Sequence, residues 1–296
     1  MFPVEQTESV VRSSYSSLSP LAEYLAAESD VARFGTNKDV TSMNEPETLS
    51  LHSLLQKNSI LRALPPGELN RFTPLLKPVV VANRHVFAEP GQEYRHCYFL
   101  TSGMCSTVAV MKDGDSAEVG VIGSEGLVGF TTMLGNSISQ HLTVMQVAGE
   151  GFRIEIEKLR PIYEESRVLH TEINRFVWSS LALYGQCCAC SRFHSLEERM
   201  SRWLLTVRDR IGSNALPLTH EFLAQMLGAH RSTVTLALGV FERSGVLQNR
   251  RGRIELTDLA RLEKTSCECL DVIRRLPGFA PTELKKNESF VRDATE

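Results

Sequence analysis

The stretch THEFLAQMLGAHRSTVTLAL, residues 219–238, constrains this chain more than any other: two short apolar-periodic segments meet at Gly228 with the spacing of a helix-turn-helix. Glycine at 228 accepts a left-handed backbone without a side-chain clash, and alanine at 224 lets the second helix approach closely. Leu223, Leu227, Ala229, Val234 and Ala237 supply the expected contact between the helices. His230, Arg231, Ser232, Thr233 and Thr235 are left facing outward, and a short polar helix with an arginine near its start suits a major groove. The spacing specifies helix geometry rather than DNA, because a helical hairpin inside an ordinary domain shares it.

The residues C-terminal to this motif favour DNA. After a helix break at Ser244-Gly245, the run VLQNRRGRIEL sets Arg250, Arg251 and Arg253 around a glycine between two apolar segments, which predicts a β-hairpin. Guanidinium groups on such a wing suit phosphate oxygens or a minor groove. The 296-residue chain has a net charge of −3, yet residues 195–256 hold nine basic against six acidic side chains, while the parts before and after are net acidic. Local charge is what attracts a phosphate backbone.

With 42% hydrophobic residues the chain supports a sizeable core, and its length predicts two domains plus tails. No run approaches a membrane span, and the N-terminus lacks a secretory pattern, so a cytoplasmic protein is expected. Residues 1–46, rich in Ser, Asn, Asp and Glu, read as disordered apart from a short helical pattern at 20–27. Residues 47–156 open with helical patterns at 47–55 and 66–76. Short strands come next at 77–82, 85–88, 96–101, 104–111, 117–122, 126–131, 141–147 and 151–155, with turn signals between them. That pattern predicts a β-roll of the jelly-roll type, whose interior is either packed or a small-molecule cavity.

A long helical pattern then fills 157–194. Leu169, Ile173, Phe176, Ser180, Leu183, Cys187 and Cys190 recur in steps of four and three, as in a coiled-coil seam, and Ile173, Val177, Leu181, Tyr184 and Cys188 form a second stripe. One stripe is assigned to the roll and the Leu169-to-Cys190 seam to the equivalent helix of a second subunit, giving a two-fold dimer. The DNA-binding unit is placed at 195–276, with a further helix at 258–276, and 277–296 reads as a flexible tail.

This order of parts resembles the Crp/Fnr family of bacterial transcriptional regulators over about residues 47–258. LTHEFLAQMLGAHRSTVTLALGVFERSGVL from Leu218, FAEPGQEYRHCYFLTSG from Phe87 and HSLEERMSRWLL from His194 carry the resemblance. It implies an α+β architecture: an N-terminal β-roll, a dimerisation helix, and a C-terminal winged helix-turn-helix. It also implies double-stranded DNA and RNA polymerase as partners, with Arg231 as a base reader and Thr219 and Thr233 at phosphates; His220, at the first position of the motif, is counted among the DNA-binding residues. Two positions depart from the pattern: Ser232 stands where an acidic residue is usual, and Leu236 where a second arginine is. A different operator from the family's best-known consensus is therefore expected.

In cyclic-AMP-binding members a Gly-Glu-Leu segment meets the ribose and an Arg-Ser pair the cyclic phosphate. Here Gly129-Phe130-Thr131 and His141-Leu142 align there, and neither phenylalanine nor leucine can make those contacts. Cyclic AMP is therefore not expected as the ligand. The family's oxygen-sensing iron–sulfur cluster uses cysteines of an N-terminal extension, and residues 1–46 contain none, so that cluster is not expected either. Among the seven cysteines, the groups Cys187, Cys188, Cys190 and Cys267, Cys269 lack CxxC spacing, and no metal site is expected. Cys187 and Cys190 read as small apolar seam residues, or, facing their own copies, as an intersubunit disulfide.

No P-loop, dinucleotide fingerprint, HExxH or GxSxG motif is present, and no enzymatic activity is expected. The alternative kept open is a ligand-binding or protein-interaction module of the same fold with weak or no specific DNA binding. No motif separates an activator from a repressor.

Overall fold

Alternating β-branched and polar residues drive the first half of the chain into strands that close around an aromatic and aliphatic core. The computed structural model describes residues 51–250 and 252–280. The expected extension 1–46, the helical pattern at 20–27, the start of the one at 47–55, Arg251 and most of the 277–296 segment lie outside them. Residues 51–55 are helical, and two further short helices lead into the roll: α1 (Ser59–Arg62) and α2 (Pro66–Phe72), the latter extended by a 3-10 turn at Thr73–Leu75. Asn58 caps α1 and donates to the carbonyls of Leu100 and Gly126, pinning it to the roll.

The strands are β1 (Lys77–Val81), β2 (Val86–Ala88), β3 (His96–Leu100), β4 (Met104–Val110), β5 (Ser116–Ile122), β6 (Leu142–Val147) and β7 (Gly149–Glu155). They form two antiparallel sheets, in the orders β1-β7-β3 and β2-β6-β4-β5. Phe99, Leu100, Met104, Val121, Met145 and Phe152 are buried in the core. The segment 126–131, expected as a strand, makes only an isolated bridge from Val128 to Tyr98 and then turns into a 3-10 helix, Phe130–Leu134. Gly129 and Gly135 bracket that helix at φ 82° and 88°, a backbone that a continuous strand does not contain.

The long helical pattern is two helices, not one. Helix α3 (Ile156–Glu165) accommodates Pro161 in its interior, and α4 (Arg167–Phe193) starts afresh because the Ser166 hydroxyl, on extended backbone, caps the Leu169 amide. Helix α4 lies against the roll at two glycines: a Cβ on Gly120 would stand 2.0 Å from the Tyr184 ring and one on Gly126 2.3 Å from Phe176. Phe176 also meets Phe130 edge-on at 5.4 Å.

This contact corrects the seam assignment. Leu169, Ile173, Phe176, Ser180, Leu183 and Cys190 are all buried against their own chain, and Cys187 is partly so. The face left open holds Trp178 and Leu181, 58% and 64% exposed, with Gly185 and Cys188 continuing the same helical row. Both stripes have helical spacing. The structure divides the second stripe, burying Ile173 and Val177 and packing Tyr184 on Gly120 while Leu181 and Cys188 stay open, and what sets this is the pair of roll glycines that admit the Phe176 and Tyr184 rings, a tertiary feature with no periodicity of its own.

His194 ends α4 in an extended conformation, and α5 (Leu196–Ile211) begins with a capping box between Ser195 and Glu198. The C-terminal unit continues through β8 (Ala215–Leu216), α6 (His220–Leu227), α7 (Arg231–Arg243), β9 (Leu247–Arg250) and β10 (Arg253–Leu256), the strands ordered β8-β10-β9. The expected helix at 258–276 is divided into α8 (Leu259–Thr265) and α9 (Cys269–Arg274). Residues 277–280, expected as the start of a loose tail, are docked: Phe279 is buried under the Arg210 guanidinium, 4.4 Å from its ring centre. Among the described residues no helix is long and apolar enough to cross a membrane.

Candidate nucleic-acid interface

Helix α6 opens with the Thr219 hydroxyl accepting from the Phe222 amide and closes at Gly228, which is left-handed at φ 57°, ψ 47°. The chain reverses there, with the Ala229 amide donating to the Ala224 carbonyl. Helix α7 packs back through Val234, Ala237 and Leu238 on the buried Leu223 and Leu227. The expected contact residues thus take the expected positions, apart from Ala229, which is half-buried.

On the open face Arg231, Ser232, Thr233, Thr235 and Leu236 are exposed, and His230 precedes them as an N-cap residue without a side-chain cap bond. The first-turn amides of α7 therefore face outward with the arginine, an arrangement that favours an anion. Arg231 lies 3.5 Å from Glu221. At this exposure such a pair is weak and exchangeable, so the guanidinium is available to a stronger acceptor.

His220 is engaged differently from expectation. Its Nδ1 lies 3.1 Å from the Thr235 hydroxyl and its Nε2 2.6 Å from the Asn249 amide nitrogen. The imidazole therefore joins α6, α7 and β9, and its contribution to an interface is to hold these three elements in register. Asn249 carries no signal in the sequence, where it is one polar residue on a strand without a motif. Opposite it the hairpin forms as expected: Arg250 pairs across the ladder with Arg253, both exposed, with Gly252 at φ 72° in the turn. Thr219, His220, Arg231, Asn249, Arg250 and Gly252 line a single groove of about 470 Å³ between the helices and the wing.

The roll and the DNA unit touch at several places, among them the ion pair of Arg210 on α5 with Glu125 of the roll, 3.6 Å apart. A Cβ on Gly228 would stand 3.2 Å from that of Ala117 on β5, and Trp203 of α5 donates its indole N–H to Glu118 of β5 at 2.8 Å. Burial raises the Glu118 carboxyl to about 7, against the opposing hydrogen bonds from Ser106 and Trp203 and the charges of Arg202 and Arg210.

A second cavity, of about 230 Å³, lies between the roll and α4. Gly129, Phe130, Thr131 and His141 meet there, as the alignment implied, with Tyr94 and Tyr184; Leu142 is instead buried in β6. The lining contains no carboxylate, lysine or arginine, and burial lowers the affinity of His141 for a proton.

Cys187 and Cys190 are not where a dimer disulfide needs them. Cys190 is buried inside its own chain, 3.6 Å from the Cys267 sulfur, and burial pushes the Cys187 thiol up to about 11, far from a reactive thiolate. Cys188 is the exposed one. Cys269 lies 3.6 Å from Nδ1 of His194, so the break between α8 and α9 brings together groups that a continuous helix would have kept apart. The lack of CxxC spacing, the ground for expecting no metal site, says nothing of a histidine or of groups brought together across the fold.

Residues 198–265 match the family model described as a Crp-like helix-turn-helix domain. Over 224 residues, 72% of this chain and 99% of the relative, the chain is 24% identical to the CRP-like cAMP-activated global transcriptional regulator of Mycobacterium tuberculosis. Among solved structures it resembles a protein assigned to the Crp/Fnr regulators from Eubacterium rectale, with TM-score 0.57, 20% identity, and 71% and 98% of the two chains covered. The c-di-GMP-responsive global regulator of Xanthomonas campestris gives TM-score 0.55, 20% identity, and coverage of 65% and 99%. These likenesses bear on the fold, which is that of an α+β chain with a β-roll, a long helix and a Crp-like helix-turn-helix.

Proposed function

We propose that this chain, a Crp/Fnr-family regulator by its Crp-like helix-turn-helix domain and its architecture, acts as a homodimer on a two-fold symmetric operator. The observation that carries the reading is the groove in which Arg231, the exposed start of α7 and the wing arginine Arg250 converge on one face. A dimer formed through the open row of Trp178, Leu181, Gly185 and Cys188 would set two recognition helices in successive major grooves about 34 Å apart. Arg231 reads a base, Ser232, Thr233 and Thr235 lie along the same groove, and Arg250 and Arg253 meet the flanking backbone. Leu236, 72% exposed where an arginine is usual, offers an apolar contact suited to a thymine methyl. The protein works in the cytoplasm, alongside RNA polymerase, and catalyses no reaction.

The test is selection of bound genomic fragments by the purified protein, followed by titration of the best fragment with wild type and Arg231→Ala. Loss of a base-reading arginine costs about 1–3 kcal/mol and relaxes one position of the site. Wild-type protein that enriches no fragment would favour the interaction-module reading instead, and an unchanged affinity of the variant would remove Arg231 from the base-reading role.

A further inference from the structure

Four metal-ligating side chains from three places in the sequence converge at the base of α4. Cys190 lies in its last turn, His194 ends it, Cys267 sits in the break after α8, and Cys269 opens α9. Their four ligand atoms all lie within 4.8 Å of one another. The three cysteines are buried together, apart from the main core, and none is in a disulfide.

We propose that these four residues are a structural zinc site of the Cys3His type. Tetrahedral zinc, with sulfur at about 2.3 Å and nitrogen at about 2.0–2.1 Å, sets its sulfurs about 3.8 Å apart and sulfur from nitrogen about 3.6 Å apart. The structure has 3.6 Å between the sulfurs of Cys190 and Cys267, and 3.6 Å from the Cys269 sulfur to Nδ1 of His194. A polynuclear iron–sulfur cluster needs ligands spread around a larger core, so this spacing selects a single ion. Cys190 and His194 stand four apart, on one face of the final turn of α4, and Cys267 and Cys269 close the site from the opposite side.

The surroundings match those of a zinc ligand set. Nε2 of His194 lies 3.1 Å from the Glu268 carboxylate, which fixes the ring so that Nδ1 faces the sulfurs. Gln186 donates an amide N–H to the Cys269 sulfur at 3.0 Å, a bond that a thiolate accepts well. Zinc with three thiolates and a neutral imidazole carries one negative charge. Arg202 supplies positive charge nearby: it is buried, acts electrostatically on Cys187, Cys190 and Cys267 as well as on Glu118, and among the described residues its Nε has no hydrogen-bond partner. On binding, zinc displaces the thiol protons, which pass to solvent, and no redox step is involved. The ion ties the end of α4 and its junction with α5 to the C-terminal segment, and so fixes the angle at which the DNA unit leaves the dimer helix.

The experiment uses the full chain, purified anaerobically under reducing, chelator-free conditions, with zinc content by mass spectrometry and cobalt substitution followed by absorption. One zinc per chain is expected, and one cobalt with intense tetrahedral bands and sulfur-to-cobalt charge transfer. Cys267→Ser should abolish the charge-transfer spectrum, Cys188→Ser should leave it intact, and Glu268→Gln should weaken zinc about 10- to 100-fold. Should Cys267→Ser fail to fold, Cys269→His keeps four ligands and is expected to retain the metal with one fewer sulfur. Reduced wild type that binds neither ion, or binds them no better than Cys267→Ser, overturns the proposal, as does a native Cys190–Cys267 disulfide found by mass spectrometry. None of these readouts depends on DNA, so the zinc site and the operator-binding reading fail or stand separately.

Discussion

Glu118 makes the union of roll and DNA unit sensitive to pH, and its geometry gives the sign. The Ser106 hydroxyl has one hydrogen, yet it lies 2.7 Å from a Glu118 carboxyl oxygen and within hydrogen-bond reach of the Gln146 amide oxygen. Two pure acceptors cannot share one hydrogen. A protonated Glu118 resolves the conflict: it donates to Ser106, Ser106 donates to Gln146, and the other carboxyl oxygen keeps the Trp203 N–H. Folding then raises this carboxyl from an ordinary value near 4.5 to about 7, so between those values the folded chain binds a proton that the unfolded chain does not. The resulting stabilisation is complete below pH 4.5 and is lost as the pH rises through 7, at most about 3 kcal/mol by linkage and less where solvent relaxes the site. Other groups oppose this trend: His85, His96 and His141 are held neutral by burial and favour the folded state as pH rises. The quantity to measure is therefore the difference in urea-unfolding free energy between wild type and Glu118→Gln from pH 5 to pH 8, because the glutamine donates to Ser106 without titrating. Wild type should lose stability relative to the variant by about 1–3 kcal/mol across that interval. A difference that is flat, or that runs the other way, would show that Glu118 is ionised throughout and that the Gln146 amide supplies the missing hydrogen instead.

Three other outcomes test the proposed regulator. Leu181→Asp places a charge in the middle of the open row of α4 and should convert the dimer to monomer by native mass spectrometry, with loss of tight operator binding; a dimer that persists would move the interface elsewhere. Replacing Arg250 and Arg253 by alanine should lower the slope of log affinity against log salt by about one for each phosphate contact removed, with little change in sequence preference; an unchanged slope would leave the wing off the DNA. Cyclic AMP titrated to millimolar concentration should give no saturable heat in calorimetry, since the roll cavity carries Phe130 and His141 and no arginine or carboxylate; a saturable isotherm would contradict that.

The helix-turn-helix and its wing were legible because local chemistry fixes them: Gly228 must be left-handed, Ala224 must be small, and the glycine in the arginine hairpin allows a tight turn. Most strands of the roll and the break at His194 rest on the same kind of local signal, with Ser195 and Glu198 forming a capping box visible in the letters. The failures share one cause: they turn on contacts distant in sequence. Which residues of the two α4 stripes face inward depends on Gly120 and Gly126, some fifty or more residues earlier, and periodicity within the helix carries no trace of them. The pair Cys190 and His194 had a readable signal, two ligands four apart at the end of a helix. It carries meaning only once α8 and α9 separate and deliver Cys267 and Cys269 to the same place.

That separation also bears on how the DNA unit could move. Residues 275–280, just beyond α9, pass back over the rest of the molecule. Arg274 is held by Asp209 of α5 and Glu263 of α8, the Pro277 carbonyl accepts from Ser179 of α4, and Gly278 passes so close to Glu125 of the roll that a Cβ there would stand 2.9 Å from it. A strap that touches all three parts opposes rotation about the junction at 194–196, because any turn of α5 away from α4 must break its contacts together with the Glu118–Trp203 bond. The roll and the DNA unit are thus linked through two routes, a direct one at β5 and one through the C-terminal strap, with the Arg210–Glu125 pair lying between them. A signal entering the cavity beside α4 would act on the first route directly, through Tyr184 and Gly120, and on the second only by displacing α4 itself.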